Sequence, residues 1–144
     1  MGSNKDYSRK RGHLLEKGAK GRTISFSFDK LDNTQGQTLK QWETDGLLAD
    51  LCIRTQQISQ HSVEECLRQQ YVKQYTKVEF PPKSKFKEPT HVTPANWAVI
   101  HIKPKSKEVI VGYLEDDVFH IVFLDKDHDF WDTDIQDRGK KNKK

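Results

Sequence analysis

His120 and His128, with Lys126 between them, are the residues whose types best suit acid–base chemistry on a phosphate. Metal-free cleavage of RNA needs a base to take the 2′-hydroxyl proton, an acid for the departing 5′-oxygen and cations to stabilise the phosphorane. Histidine supplies both proton-transfer roles near neutral pH. Lys126 is the cation that accompanies the pair. Lys83, Lys85, Lys87, Lys103, Lys105 and Lys107 add positive charge for a nucleic-acid backbone, and Tyr113 and Trp131 offer rings on which a single-stranded base can stack. The spacing puts His120 within a strand and His128 just past its end, so joint action on one phosphate requires the chain to bend between them.

Other chemistry is poorly supported. Asp125, Asp127, Asp129, Thr133 and Gln136 fall at positions 1, 3, 5, 9 and 12 of a calcium-loop spacing, but Phe130 stands where the turn wants glycine and Gln136 where a bidentate glutamate should close the shell. The acids then read as a solvated face or as a contact for basic segments. His91 and His101 have no partner at metal-ligand spacing, and Cys52 and Cys66 have no second cysteine near either. The expectation is no metal and no cofactor. Two isolated cysteines also argue for a reducing compartment. Neither end carries an apolar stretch of signal-peptide or membrane-span length, so a cytoplasmic location is expected, away from membranes.

Charge is unevenly placed along the 144 residues. Residues 1–22 carry a net +5 and residues 138–144 another +5, which, taken from the overall +4, leaves −6 for residues 23–137. Basic arms attract polyanions by counterion release without needing a folded site. With only 33% hydrophobic residues, part of the chain cannot belong to a core. Residues 1–22 read as a disordered basic arm, residues 23–130 as one domain and residues 131–144 as an acidic-then-basic tail.

The elements that must position these groups follow from periodicity. Ile24, Phe26 and Phe28 alternate, predicting a half-buried strand. Asp32-Asn33-Thr34 can cap a helix over residues 35–45 bearing Leu39 and Trp42, with Gly46 as its stop. Leu47, Leu48, Leu51, Cys52 and Ile58 suit a second helix, and Ser62 with Glu65 caps a third that carries Cys66 and Leu67. Residues 76–95, with Phe80-Pro81-Pro82, Lys83, Lys85 and Lys87, read as a long basic loop. The rest predicts a three-stranded antiparallel meander: 98–102, 109–114 and 118–124, the last buried on both faces. The fold class is therefore α+β: an N-terminal strand, two or three short helices, then the meander.

The first strand ending near Asp29, the helical segment Leu39-Lys40-Gln41-Trp42 and the closing runs Val109-Ile110-Val111-Gly112-Tyr113 and Val118 to Leu124 resemble, in order of elements over residues 23–130, the RelE/ParE superfamily of bacterial toxins. The resemblance implies a small cytoplasmic protein that either cleaves messenger RNA on the ribosome without metal or poisons gyrase, and that a cognate antitoxin holds inactive. The ribosome-dependent nucleases carry Arg, Lys, Tyr and often His on the last strands, where this chain exits into Asp125-Lys126-Asp127-His128-Asp129. The leading expectation is an endoribonuclease acting on RNA or on the ribosome. The alternative is a non-enzymatic accessory protein of a mobile element that grips nucleic acid or a protein with its basic tails.

Overall fold

The structure is a computed structural model, and it describes residues 21–75, 79–92 and 96–131. The expected N-terminal arm and C-terminal tail lie outside these residues, apart from Gly21, Arg22 and Trp131. Strand β1 is Ser25–Ser27. Helices α1 (Leu39–Thr44), α2 (Leu48–Ile58) and α3 (Val63–Arg68) follow, and then strands β2 (Lys73–Gln74), β3 (Trp97–His101), β4 (Val109–Glu115) and β5 (Val118–Asp125). The class is α+β, as the sequence predicts. The sheet is larger than a three-stranded meander: its order is β1-β5-β4-β3-β2, with β1 parallel to β5 and every other pair antiparallel.

The helix starts are fixed locally. Thr38 caps α1 by accepting the Gln41 N–H while Gln41 reaches back to the Thr38 N–H, so the helix begins four residues later than the Asp32-Asn33-Thr34 run suggests. The carboxylate of Asp32 instead holds the turn at Thr34 and Gln35. Gly46 takes φ +75 between α1 and α2, where the left-handed backbone suits glycine. Ser62 caps α3 through the Glu65 N–H.

Alternation along the strands divides the core in two. On one face Ala98, Ile100, Ile110, Ile121 and Leu124 pack under the helices against Trp42, Leu51, Ile58, Val63 and Cys66. On the other, Trp97, Val99, Val109, Val111, Tyr113, Val122 and Phe123 meet Phe130, Phe80, Phe86, Tyr75 and Trp131. The cover of this second face is the Pro-rich segment. Phe86 stacks on Phe123 at 4.7 Å, and Phe80 sets its edge against Trp97 at 5.2 Å and Phe130 at 5.3 Å. Gln35 fastens the segment through its side-chain amide, accepting the Lys87 N–H at 2.6 Å and donating to the Lys87 carbonyl at 2.8 Å.

A bulge in β5 adjusts the register. Val111 pairs with Phe123 but Gly112 with Ile121, leaving Val122 unpaired so that it and Phe123 both serve the second core. The freed Val122 carbonyl accepts the Asp32 N–H at 2.8 Å. Opposite the bulge, a Cβ on Gly112 would run into the His120 carbonyl, so β4 and β5 approach there as only glycine permits.

Candidate functional site

With both sheet faces covered, polar chemistry is left to the rims. One row across the sheet, His101–Val109–Asp125, marks the rim where β5 ends. Asp125 is buried, and its carboxylate accepts the N–H groups of Asp129 and Phe130, each at 2.8 Å, which folds the chain back toward the sheet. Inside that turn His128 takes φ +59, an uncommon backbone state for a residue with a side chain. Its ring lies 5.5 Å from the ring of His101, tilted by 35°.

The two imidazoles differ in what holds them. His101 Nδ1 is 2.9 Å from the Ser106 carbonyl oxygen, which can only accept, so Nδ1 carries the proton and Nε2 keeps its lone pair. Burial pushes the His101 pKa below the ordinary histidine value; the Ser106 bond opposes this, while the positive charges of Lys73, His128 and Arg54 add to it. His101 is therefore a neutral base at pH 7. His128 Nδ1 is buried without a hydrogen-bond partner among the described residues. Arg54, on α2, donates from Nε to the His101 carbonyl at 3.2 Å and sets its guanidinium over the Tyr71 ring. Among the described residues no carboxylate pairs with Arg54.

His120 stands elsewhere. It lies at the opposite end of β5, five residues from Asp125, which at about 3.3 Å per residue is roughly 16 Å away. His120 and His128, expected to act on one phosphate, are not brought together: strand geometry separates them, and the imidazole next to His128 is that of His101. His120 Nδ1 meets Asp29 Oδ1 at 3.0 Å, Nε2 lies 3.6 Å from Glu115, and the ring stacks on Tyr113 at 5.0 Å. Asp29 is held below the usual carboxylate range by the Ser27 hydroxyl first and His120 second. That rim also carries Asp116 and Asp117, which oppose a phosphate.

Most of the expected lysines have partners. Lys126 reaches Asp45 at 3.2 Å on the helix side of the sheet, beside a cleft of about 290 Å³ lined by α1, and so points away from His128. Lys85 pairs with Asp129 at 3.1 Å, Lys103 with Asp50 at 3.0 Å and Lys107 with Asp127 at 3.6 Å. The acidic run thus answers the basic segments of its own chain. Lys83, Lys87 and Lys105 are exposed, Lys105 in a turn with φ +59. Tyr113, expected to stack on a base, is buried in the second core, and Trp131, partly buried against that core, has one face stacked on Tyr75 at 4.2 Å.

Sequence spacing did not single out His101, Arg54, Lys73 or Tyr71. No local pattern marks His101 itself; it meets His128 because Asp125 holds the turn through the Asp129 and Phe130 N–H groups. Among the described residues no group of three or more His, Cys, Asp or Glu side chains is placed to hold a metal ion, and no helix is long and apolar enough to cross a membrane.

Comparison of the chain with protein-family models, with curated proteins and with solved structures returned no significant match.

Proposed function

We propose that this chain is an RNA-directed, toxin-like endoribonuclease whose acid–base pair is His101 and His128, with Lys73 and Arg54 supplying positive charge to the phosphate. The reading is supported above all by the juxtaposition of the two imidazoles at 5.5 Å, with the Arg54 guanidinium, which pairs with no carboxylate among the described residues, bonded to the His101 carbonyl, and with the His101 Nδ1 proton engaged so that Nε2 keeps its lone pair. His101 Nε2 takes the proton of a 2′-hydroxyl, the 2′-oxygen attacks phosphorus, and the bond from phosphorus to the 5′-oxygen breaks. The imidazolium of His128 protonates the departing oxygen, leaving a 2′,3′-cyclic phosphate. Positive charge around the pair stabilises the extra negative charge of the phosphorane. The element order that resembles the RelE/ParE superfamily belongs with this reading, as do a cytoplasmic location, the ribosome or free RNA as substrate, and a cognate antitoxin as partner.

The test is induced expression of the intact chain in a bacterial host, following growth and total messenger RNA together. Growth arrest with shortened transcripts is the expected result. Normal growth with intact RNA would move the assignment to the second reading, a non-enzymatic binding protein. That reading draws on a different observation: Lys85, Lys103, Lys107 and Lys126 are engaged with aspartates, so polyanion binding would fall to the basic ends together with the exposed Lys83, Lys87 and Lys105.

A further inference from the structure

Between the C-terminal turn of α2 and the chain leaving α3 lies a cleft of about 230 Å³ lined by Arg54, Gln57, Ile58, His61 and Tyr71. Three planar groups wall it: the Tyr71 ring, the His61 ring 5.3 Å from it, and the Arg54 guanidinium 5.3 Å from the Tyr71 ring centre. Ile58, buried, gives it an apolar floor. Gln57 is exposed at its mouth, and among the described residues its side-chain amide touches only Arg54, weakly, at 3.5 Å.

From these residues we infer that the cleft is a nucleobase subsite, which receives the base of a single-stranded RNA nucleotide whose phosphate lies on Arg54. Planar walls with an apolar floor suit a base, which presents flat faces for stacking and an edge of donors and acceptors. Gln57 faces that edge. Arg54 is the link, since the same guanidinium that walls the cleft is bonded through Nε to the His101 carbonyl. A base in the cleft therefore places its phosphate toward the His101 and His128 pair. A cation with no carboxylate partner among the described residues, next to rings, suits an anionic planar ligand better than an apolar peptide.

The placement next to the scissile phosphate rests on the ribonuclease reading, but binding does not. The test therefore uses an uncleavable probe, a short single strand of 2′-O-methyl RNA, titrated by fluorescence anisotropy against the full chain. Tyr71→Ala is expected to weaken binding about tenfold, Tyr71→Phe to restore it, and His120→Ala, at the opposite end of β5, to bind as the parent chain does. Gln57→Ala, an exposed change that does not threaten folding, is expected to alter the preference among homopolymeric strands while leaving total affinity within a few-fold. Failure of the parent chain to bind any strand, or Tyr71→Ala and Gln57→Ala binding all strands as the parent does, overturns the subsite. If Tyr71→Ala binds weakly while His128→Asn still cleaves natural RNA, the subsite stands and the cleavage mechanism falls.

Discussion

The buried carboxylate of Asp125 accepts the backbone N–H of Phe130 at 2.8 Å, and through this bond one residue both closes the second core and sets the position of His128. The neighbouring N–H of Asp129 bonds the other carboxylate oxygen at 2.8 Å. Removing the side chain leaves two donors short of a partner in a region that excludes water, at about 1–3 kcal/mol each. Asp125→Ala should therefore cost about 2–6 kcal/mol, read as a lower midpoint in urea denaturation. A change below about 0.5 kcal/mol would show that the turn holds without it.

The Pro-rich segment is a lid before it is a charged loop. Phe86, stacked on Phe123, is partly buried, so Phe86→Ala should cost about 2 kcal/mol, below the range for a fully buried phenylalanine. Lys83→Ala and Lys87→Ala expose or bury nothing new and should stay within about 0.5 kcal/mol of the parent. Thermal denaturation of the three variants side by side separates the two roles; equal losses would contradict the lid.

The cysteines should react unequally. Cys52 is exposed, whereas Cys66 is buried against the Ile58 carbonyl and burial pushes its thiol up to about 11. Since the thiolate is the nucleophile, iodoacetamide at pH 8 should label Cys52 alone, with Cys66 labelled only in denaturant. Mass spectrometry of the peptides decides it, and rapid labelling of both in the native protein would mean that α3 opens readily. Above pH 9 the folded state keeps a proton that the unfolded thiol loses, so stability falls as pH rises through about 11.

The base assignment carries a pH signature. A histidine whose pKa is lowered by burial stays deprotonated to lower pH, and a base is lost only as pH falls through that lowered value. The acidic limb of kcat/KM for RNA cleavage should thus lie below the ordinary histidine value of 6.5. A limb above 6.5 would point to a different base.

Legibility in the sequence followed the range of the interactions. The runs from Val109 to Leu124 and from Leu47 to Ile58 announced themselves because pleat and helix periods are local, and Ser62 capped its helix as its spacing to Glu65 suggests. What was not legible depends on distant partners. The parallel pairing of Ser25–Ser27 with β5 joins residues more than ninety positions apart, and β2 is two residues long, too short to carry a pattern. Phe80 and Phe86 were read with the lysines around them as a loop, since only the tertiary fold shows which side chains face the sheet. That His128 lies next to His101 and not His120 is hidden from the sequence for a related reason. Neighbours in sequence along β5 move apart at each step of the strand, whereas the turn held by Asp125 carries His128 back to β3.

The most direct test of the paired imidazoles is single-turnover cleavage of RNA, with and without ribosomes, by the parent chain and by His101→Ala, His128→Asn and His120→Ala. Asparagine tolerates the left-handed backbone at position 128, so that variant removes the acid while keeping the turn. Losses of about 10²–10⁴-fold are expected for His101→Ala and for His128→Asn, with His120→Ala close to the parent. Cleavage that survives both of the first two changes, or that is lost in His120→Ala while the protein remains folded, would contradict the assignment.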